Sequence, residues 1–203
     1  FIAMILAVLA AAPLLLKAAF FTDRLHVAAL AVFIVSMILL YAASTVYHTF
    51  DISEGVNRLL RKIDHMMIFI LIAGSYTPIC VIPLRDTVGI PLLILVWAVA
   101  IAGMLIKAFW ITCPKWFSSI IYISMGWLCV LAMVPLVQAL PAAAFVWLVA
   151  GGVIYTVGGI IYALKLPLFN SRHQFFGSHE IFHLFVMAGS LCHYVVMFYI
   201  ALM

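Results

Sequence analysis

The sequence predicts an all-α fold, a bundle of seven transmembrane helices with the N-terminus cytoplasmic and the C-terminus outside. Three observations carry this. First, the chain of 203 residues is 69% hydrophobic and 8% charged, whereas an ordinary globular domain is roughly 45–50% apolar and about 25% charged; its mean hydropathy is +1.34. Second, charges divide the chain into uncharged runs of membrane length. Third, the basic residues gather in alternate loops. A β-barrel would need strands of roughly ten residues with alternating polarity, and the long apolar runs do not alternate.

A bilayer core of roughly 30 Å takes about 20 helical residues, so charges serve as punctuation. Residues 1 to 16 form the first span; beginning at Phe1 with no basic residue ahead of it, it reads as a truncated membrane helix rather than a signal peptide, with the natural N-terminal segment missing. Residues 27 to 48 form the second, about 65 to 84 the third and 87 to 106 the fourth, divided by the stretch Asp51 to Lys62 and by Arg85-Asp86. Residues 116 to 164 run without a charge, too long for one helix, and Gln138 with Pro141 supplies the break that makes spans five and six. The seventh runs from about 179 to 202. Loops 49–63, 107–115 and 165–178 then share one side and hold Arg58, Arg61, Lys62, Lys107, Lys115, Lys165 and Arg172, against Lys17, Arg24 and Arg85 on the other. The positive-inside rule places the richer side in the cytoplasm. No internal repeat is evident and no loop is long enough for a second domain, so residues 1–203 are expected to form a single helical domain of a bacterial cell membrane, the inner membrane.

The formal net charge is +4, but the basic residues are scattered singly or in pairs, so no stripe tracks a nucleic-acid backbone and nucleic acid is excluded as the main partner. The four cysteines, Cys80, Cys113, Cys129 and Cys192, have no CxxC spacing and sit in or beside apolar runs. They read as small hydrophobes, neither a disulfide framework nor a metal site.

Two carboxylates, Asp64 and Glu180, fall where spans should carry none, and an ionisable group inside a span is a functional hypothesis by default. Asp64 begins the expected third helix two residues after Lys62, so it equally suits a helix N-cap or first-turn position. His179 and His183, spaced i, i+4, share one helix face about one turn apart and are able to grip a single ion. His48 ends the second helix on the same side of the membrane, with Ser44 one turn before it on the same face. Topology therefore gathers His48, Asp64, His179 and His183 at one depth. Three histidines from two helices with one position left open have the composition of a catalytic zinc site, whereas a structural site is closed by a fourth ligand, usually with cysteine. His26, His65, His173 and His193 read as interfacial anchors or hydrogen-bonded packing residues.

His179-Glu180-Ile181-Phe182-His183 fits HExxH, in which the glutamate serves as general base. The metzincin continuation is absent, since Val186 and Gly189 stand where a glycine and a third histidine would follow. The third ligand then comes from upstream, as His48. Glu180 suits a cap of the seventh helix or the interface, and Asp64 is the better candidate to take a proton from water at the metal.

Ser44-Thr45-Val46-Tyr47-His48, Asp64-His65, Ala73-Gly74-Ser75-Tyr76-Thr77-Pro78 and the HExxH segment resemble, in order and over nearly the whole chain, the bacterial hemolysin III family, grouped with the progestin and adipoQ receptors, including the adiponectin receptors, and more distantly with the alkaline ceramidases. The resemblance implies a zinc ion held by His48, His179 and His183, Asp64 engaging the metal's water, and Ser44 nearby. It leaves the activity open among three readings. One is a zinc-dependent hydrolase of a lipid amide or ester, with Asp64 as base and Ser44 donating to a developing oxyanion, acting on a sphingolipid-like membrane lipid whose chain lies among the helices. Another is a receptor or membrane-state sensor stapled by structural zinc. The third is a hemolysin, against which stand the absence of a soluble form and of a polar pore lining.

Overall fold

The computed structural model describes residues 1–164 and 177–203. Its helices are α1 (Ile2–Phe21), α2 (Arg24–Thr49), α3 (Glu54–Val81), α4 (Gly89–Phe109), α5 (Lys115–Gly126), a 3₁₀ segment (Trp127–Ala132), α6 (Met133–Ala139), α7 (Ala142–Leu164) and α8 (Ser178–Ile200). With α5, the 3₁₀ segment and α6 counted as one span, seven helices are long and apolar enough to cross a membrane. The protein is a multi-pass integral membrane protein. The break expected at Gln138 and Pro141 falls between α6 and α7, where the Leu140 N–H still bonds to the Leu136 carbonyl and Pro141 cannot extend the ladder.

Successive helices pack as neighbours: α1 on α2, α2 on α3, α3 on α4, while α7 lies between α5 and α8. The helix α3 also touches α5 and α8, so it runs through the middle of the bundle. Its most apolar window is 61% buried, against 17% for that of α1, yet it has the lowest hydropathy of the seven spans. A helix surrounded by protein need not be apolar all round, which is why α3 can carry Asp64, Ser75 and Tyr76 inward. Phe33, Phe69, Leu30, Ile34 and Val96 are fully buried among these helices, while Leu9, Phe20, Ile94, Leu105 and Val134 point outward where lipid would meet them.

The charged stretch before Asp64 corrects the sequence reading. Glu54 to Lys62 is the first part of α3 rather than a loop. Ser53 is its N-cap, its side chain accepting from Val56 N, and Asp51 accepts from the Asn57 amide just ahead of it. Asp64 therefore lies well inside α3, at 8% exposure, and neither caps nor begins a helix. Charges mark the membrane boundary but do not end helices, and an amphipathic extension looks like a loop when only hydropathy is read.

Lys107 is a second correction. It is not a loop charge but lies in the last turn of α4 at 2% exposure, its Nζ donating to Ser118 Oγ at 2.5 Å and to Cys113 Sγ at 3.0 Å. Cys113 is thus tied to polar partners, while Cys80 and Cys192 are buried among apolar groups; all four cysteines are free. Lys62 reaches from α3 to the Ala108 carbonyl (2.6 Å), satisfying one of the terminal acceptors of α4. At the start of α2, Asp23 accepts from His26 N (3.0 Å) and from His26 Nδ1 (2.7 Å), and these bonds hold its carboxyl below the usual carboxylate range.

The fifth span is irregular over Trp127–Ala132, just ahead of Pro135, which has no N–H to offer the Leu131 carbonyl. At the 3₁₀ segment the Tyr76 hydroxyl of α3 lies 2.6 Å from the Gly126 carbonyl and 3.2 Å from that of Met125, and accepts from Cys129 N at 2.8 Å. One side chain thus satisfies groups that the broken ladder frees, the condition under which such a break is tolerated inside a bilayer.

Candidate functional site

The ends of α2 and α7 and the starts of α5 and α8 meet at one face of the bundle: His48 touches His179, and Lys115 Nζ lies 4.3 Å from the Tyr162 ring centroid. At this face α2 presents His48 in its last turn and α8 presents His179 and His183 in its first two. Lys165, Arg172 and His173, counted above on the same side, lie outside the described residues.

The three imidazoles converge through Nε2. His179 Nε2 lies 3.3 Å from His48 Nε2 and 3.2 Å from His183 Nε2, and one nitrogen from each ring falls within 4.8 Å of the others. Two nitrogens bound to one tetrahedral ion by bonds of about 2.0–2.1 Å stand roughly 3.3–3.4 Å apart. The observed spacing therefore fits a shared metal ion. A metal ion would hold all three as acceptors at once; without one, an Nε2–H of one ring donates to its neighbour. The i, i+4 spacing supplies two of the ligands from adjacent turns of α8, and α2, ending here, supplies the third. The His179 Nδ1 atom is buried and has no hydrogen-bond partner among the described residues.

Glu180, the central carboxylate of HExxH, accepts from Gly177 N at 2.8 Å and closes the first turn of α8. It is the cap that the sequence allowed.

Asp64 and Ser44 line the same cavity as His179 and His183, with Ser44 beside the Asp64 carboxyl. His65 stands beside them, its Nδ1 donating to the Arg61 carbonyl (2.8 Å) and lying 3.7 Å from Asp64 Oδ2. His26, His65 and His193 each make a local hydrogen bond on their own helix, as packing residues do. The structure thus brings together all five residues singled out from sequence: His48, His179 and His183 around one point, Asp64 and Ser44 in the adjoining wall.

From the histidines the cavity, about 160 Å³, extends into the bundle between α2, α3, α5, α7 and α8. Leu40, Ile68, Ile72, Ile123, Phe182 and Val186 make its sides, and Tyr155, Tyr76, Trp127 and His193 stand deeper. A second cavity of about 60 Å³ shares Ser75, Tyr76, Trp127, Gly152 and His193 with it and continues towards Leu84 and Leu136. Sequence reasoning missed these deeper polar residues. A signal existed: Tyr41, Ser44 and His48 fall at i, i+3, i+7 on α2, and His179, His183 and Ser190 at i, i+4, i+11 on α8, one face in each case.

The family model for haemolysin-III related proteins matches residues 1–194. The hemolysin-3 homolog of Bacillus subtilis is 36% identical over 199 residues, covering 98% of this chain and 89% of that protein. Hemolysin-3 of Bacillus cereus is 39% identical over 175 residues, 86% of this chain and 76% of its own. The adiponectin receptor protein of Drosophila melanogaster is 27% identical over 197 residues, which is 80% of this chain and 40% of the receptor.

Proposed function

The chain belongs to the haemolysin-III related family, and on that footing we propose that it is a zinc-dependent hydrolase of a membrane lipid amide or ester, its site at the cytoplasmic face. The observation that carries the reading is the junction of two features: three convergent Nε2 atoms and an apolar cavity that begins at them. Three imidazoles with no fourth protein ligand among the described residues favour zinc with an open position. Bound there, zinc would polarise a scissile carbonyl and acidify a water molecule.

The remaining work falls to the chain's own residues. Asp64, nearly enclosed and beside Ser44 in the cavity wall, would take a proton from water entering the polar end of the cavity. Ser44, in the same wall, offers a hydroxyl to a developing oxyanion. Leu40, Ile68, Ile72 and Val186 exclude water and receive an acyl chain, so the amide or ester of a sphingolipid-like substrate would rest at headgroup depth beside the histidines. Glu180, committed to the α8 cap, takes no part. Under the positive-inside rule, the excess of basic residues at this face supports a cytoplasmic N-terminus.

Metal content and hydrolysis of a lipid-amide panel by the purified protein test the reading. His179→Ala should lose metal and turnover together, whereas Asp64→Asn should keep about one metal per chain and lose roughly 10²–10⁴-fold in turnover. Hydrolysis unchanged in both variants would overturn it. A second reading, a receptor or sensor in which the ion is a staple, is favoured by one observation, that the ligands come from two different helices, α2 and α8; it predicts that no substrate is consumed.

A further inference from the structure

Deeper in the cavity lies a polar cluster that hydrolysis at the histidines leaves unused. Tyr41 of α2, Tyr155 of α7 and Ser190 of α8 meet there: the Tyr41 hydroxyl donates to Ser190 Oγ at 2.7 Å, and Tyr155 OH lies 2.8 Å from the same oxygen. Three hydroxyls carry three protons and two contacts consume two, so one O–H is left without a partner in the cluster whichever way the hydroxyls rotate. Beside them stands His193, its ring centroid 5.3 Å from that of Tyr155. His193 Nδ1 is 3.0 Å from the Gly189 carbonyl. A carbonyl can only accept, so the proton sits on Nδ1 and Nε2 is left as an acceptor. Tyr41, Tyr155 and His193 all line the cavity.

Both rings are set against bare backbone. A Cβ on Gly189 would come within 2.9 Å of the Tyr155 ring, and one on Gly151 would strike the His193 imidazole. The cluster therefore holds one spare donor, on Tyr155 when Ser190 donates to it, and one spare acceptor on His193, in a part of the bundle where unmet polar groups are costly. At 1.5 Å rise per residue, Ser190 lies about 10 Å and His193 about 15 Å along α8 from His183.

An alcohol is the simplest group that accepts one hydrogen bond and donates another. We infer that Tyr41, Tyr155, Ser190 and His193 form a hydroxyl-reading station, selecting lipids that carry a hydroxyl part-way along the chain, on the order of 10–15 Å beyond the group held at the histidines. The inference rests on the lipid reading of the cavity given above. A site built to bond a hydroxyl discriminates against the plain chain because its own polar groups are then left unpaired.

The test is equilibrium binding to the metal-loaded full chain in detergent, with octadecanoic acid as the plain probe and its 10-hydroxy and 12-hydroxy derivatives as the hydroxylated ones. At least one hydroxylated acid should bind about tenfold more tightly than octadecanoic acid. Tyr155→Phe and His193→Leu should each reduce that preference to near unity while binding octadecanoic acid at least as tightly as the parent protein does, since the unpaired polar group is gone, and that binding also shows that the variants fold. Equal binding of plain and hydroxylated acids by the parent protein would overturn the station, leaving water as its occupant, without touching the lipid reading. A preference that survives both substitutions would overturn the residue assignment. Failure of every acid to bind would overturn the station together with the lipid reading.

Discussion

The helices α2 and α8 meet twice, and the two meetings are built on opposite principles. At one end His48, His179 and His183 bring three ring nitrogens to a point, a set whose lone pairs are all used together only by a cation supplied from outside the chain. Near the middle, Tyr41 and Ser190 join the same two helices through hydroxyls that are donors and acceptors at once, so the contact closes by itself and keeps one proton to spare. The first arrangement suits a cation and the second suits a group that both donates and accepts. The difference is one of valence: an imidazole nitrogen with a lone pair has one role to offer, whereas a hydroxyl can adjust to what it meets.

Removing metal should break this comparison most sharply. If the three histidines need an ion, chelation should lower the thermal midpoint well below that of the loaded protein. Metal held at a thousandfold excess over its Kd stabilises by about 4 kcal/mol, on the order of 10 °C for a chain of this size. A differential scan with and without chelator reads it directly. An unchanged midpoint would mean that the three rings share a proton and need no metal.

Ser190→Ala should cost less. It leaves Tyr41 and Tyr155 facing one another without the oxygen that joins them, a loss of roughly 1–3 kcal/mol for buried hydroxyls deprived of partners, while metal content stays at the parent level. Denaturation of the loaded protein beside a metal assay separates the two effects. Metal lost along with stability would show that the mid-bundle contact sets the register of the histidines, and that the two meetings of α2 and α8 act as one unit.

The same contrast explains what is legible in the sequence. Histidines are rare in membrane spans, so His48 and the pair His179 and His183 stand out by type, and the alternation of seven spans is enough to put them at one depth. Ser44 and Asp64 follow from helical spacing and from charge. Tyr41, Tyr155 and Ser190 belong to types that occur throughout apolar helices, and only the fold shows that three of them share one oxygen. The seven spans are legible because a bilayer imposes a length. The helical turns outside that length are not: α3 begins at Glu54, far ahead of the apolar stretch, because Ser53 caps it and charged residues are good helix formers once the backbone is outside lipid. Lys107 is misplaced by hydropathy for a related reason, since hydropathy cannot tell a charge in a loop from one buried against Ser118 and Cys113.

Glu180→Gln should give the smallest effect. Glutamine keeps an oxygen able to accept from Gly177 N, so the cap survives and only its charge at the positive end of α8 is lost, about 0.3–1 kcal/mol. If Asp64 is the proton acceptor, turnover on any lipid substrate should then stay within about twofold of the parent enzyme, well short of the 10²–10⁴-fold that loss of a general base brings. A loss of that larger size with metal retained would give HExxH its protease-like meaning after all and move the base from α3 to α8. Measured beside Asp64→Asn on the same substrate, the pair of variants decides which of the two carboxylates at this face acts in catalysis and which only ends a helix.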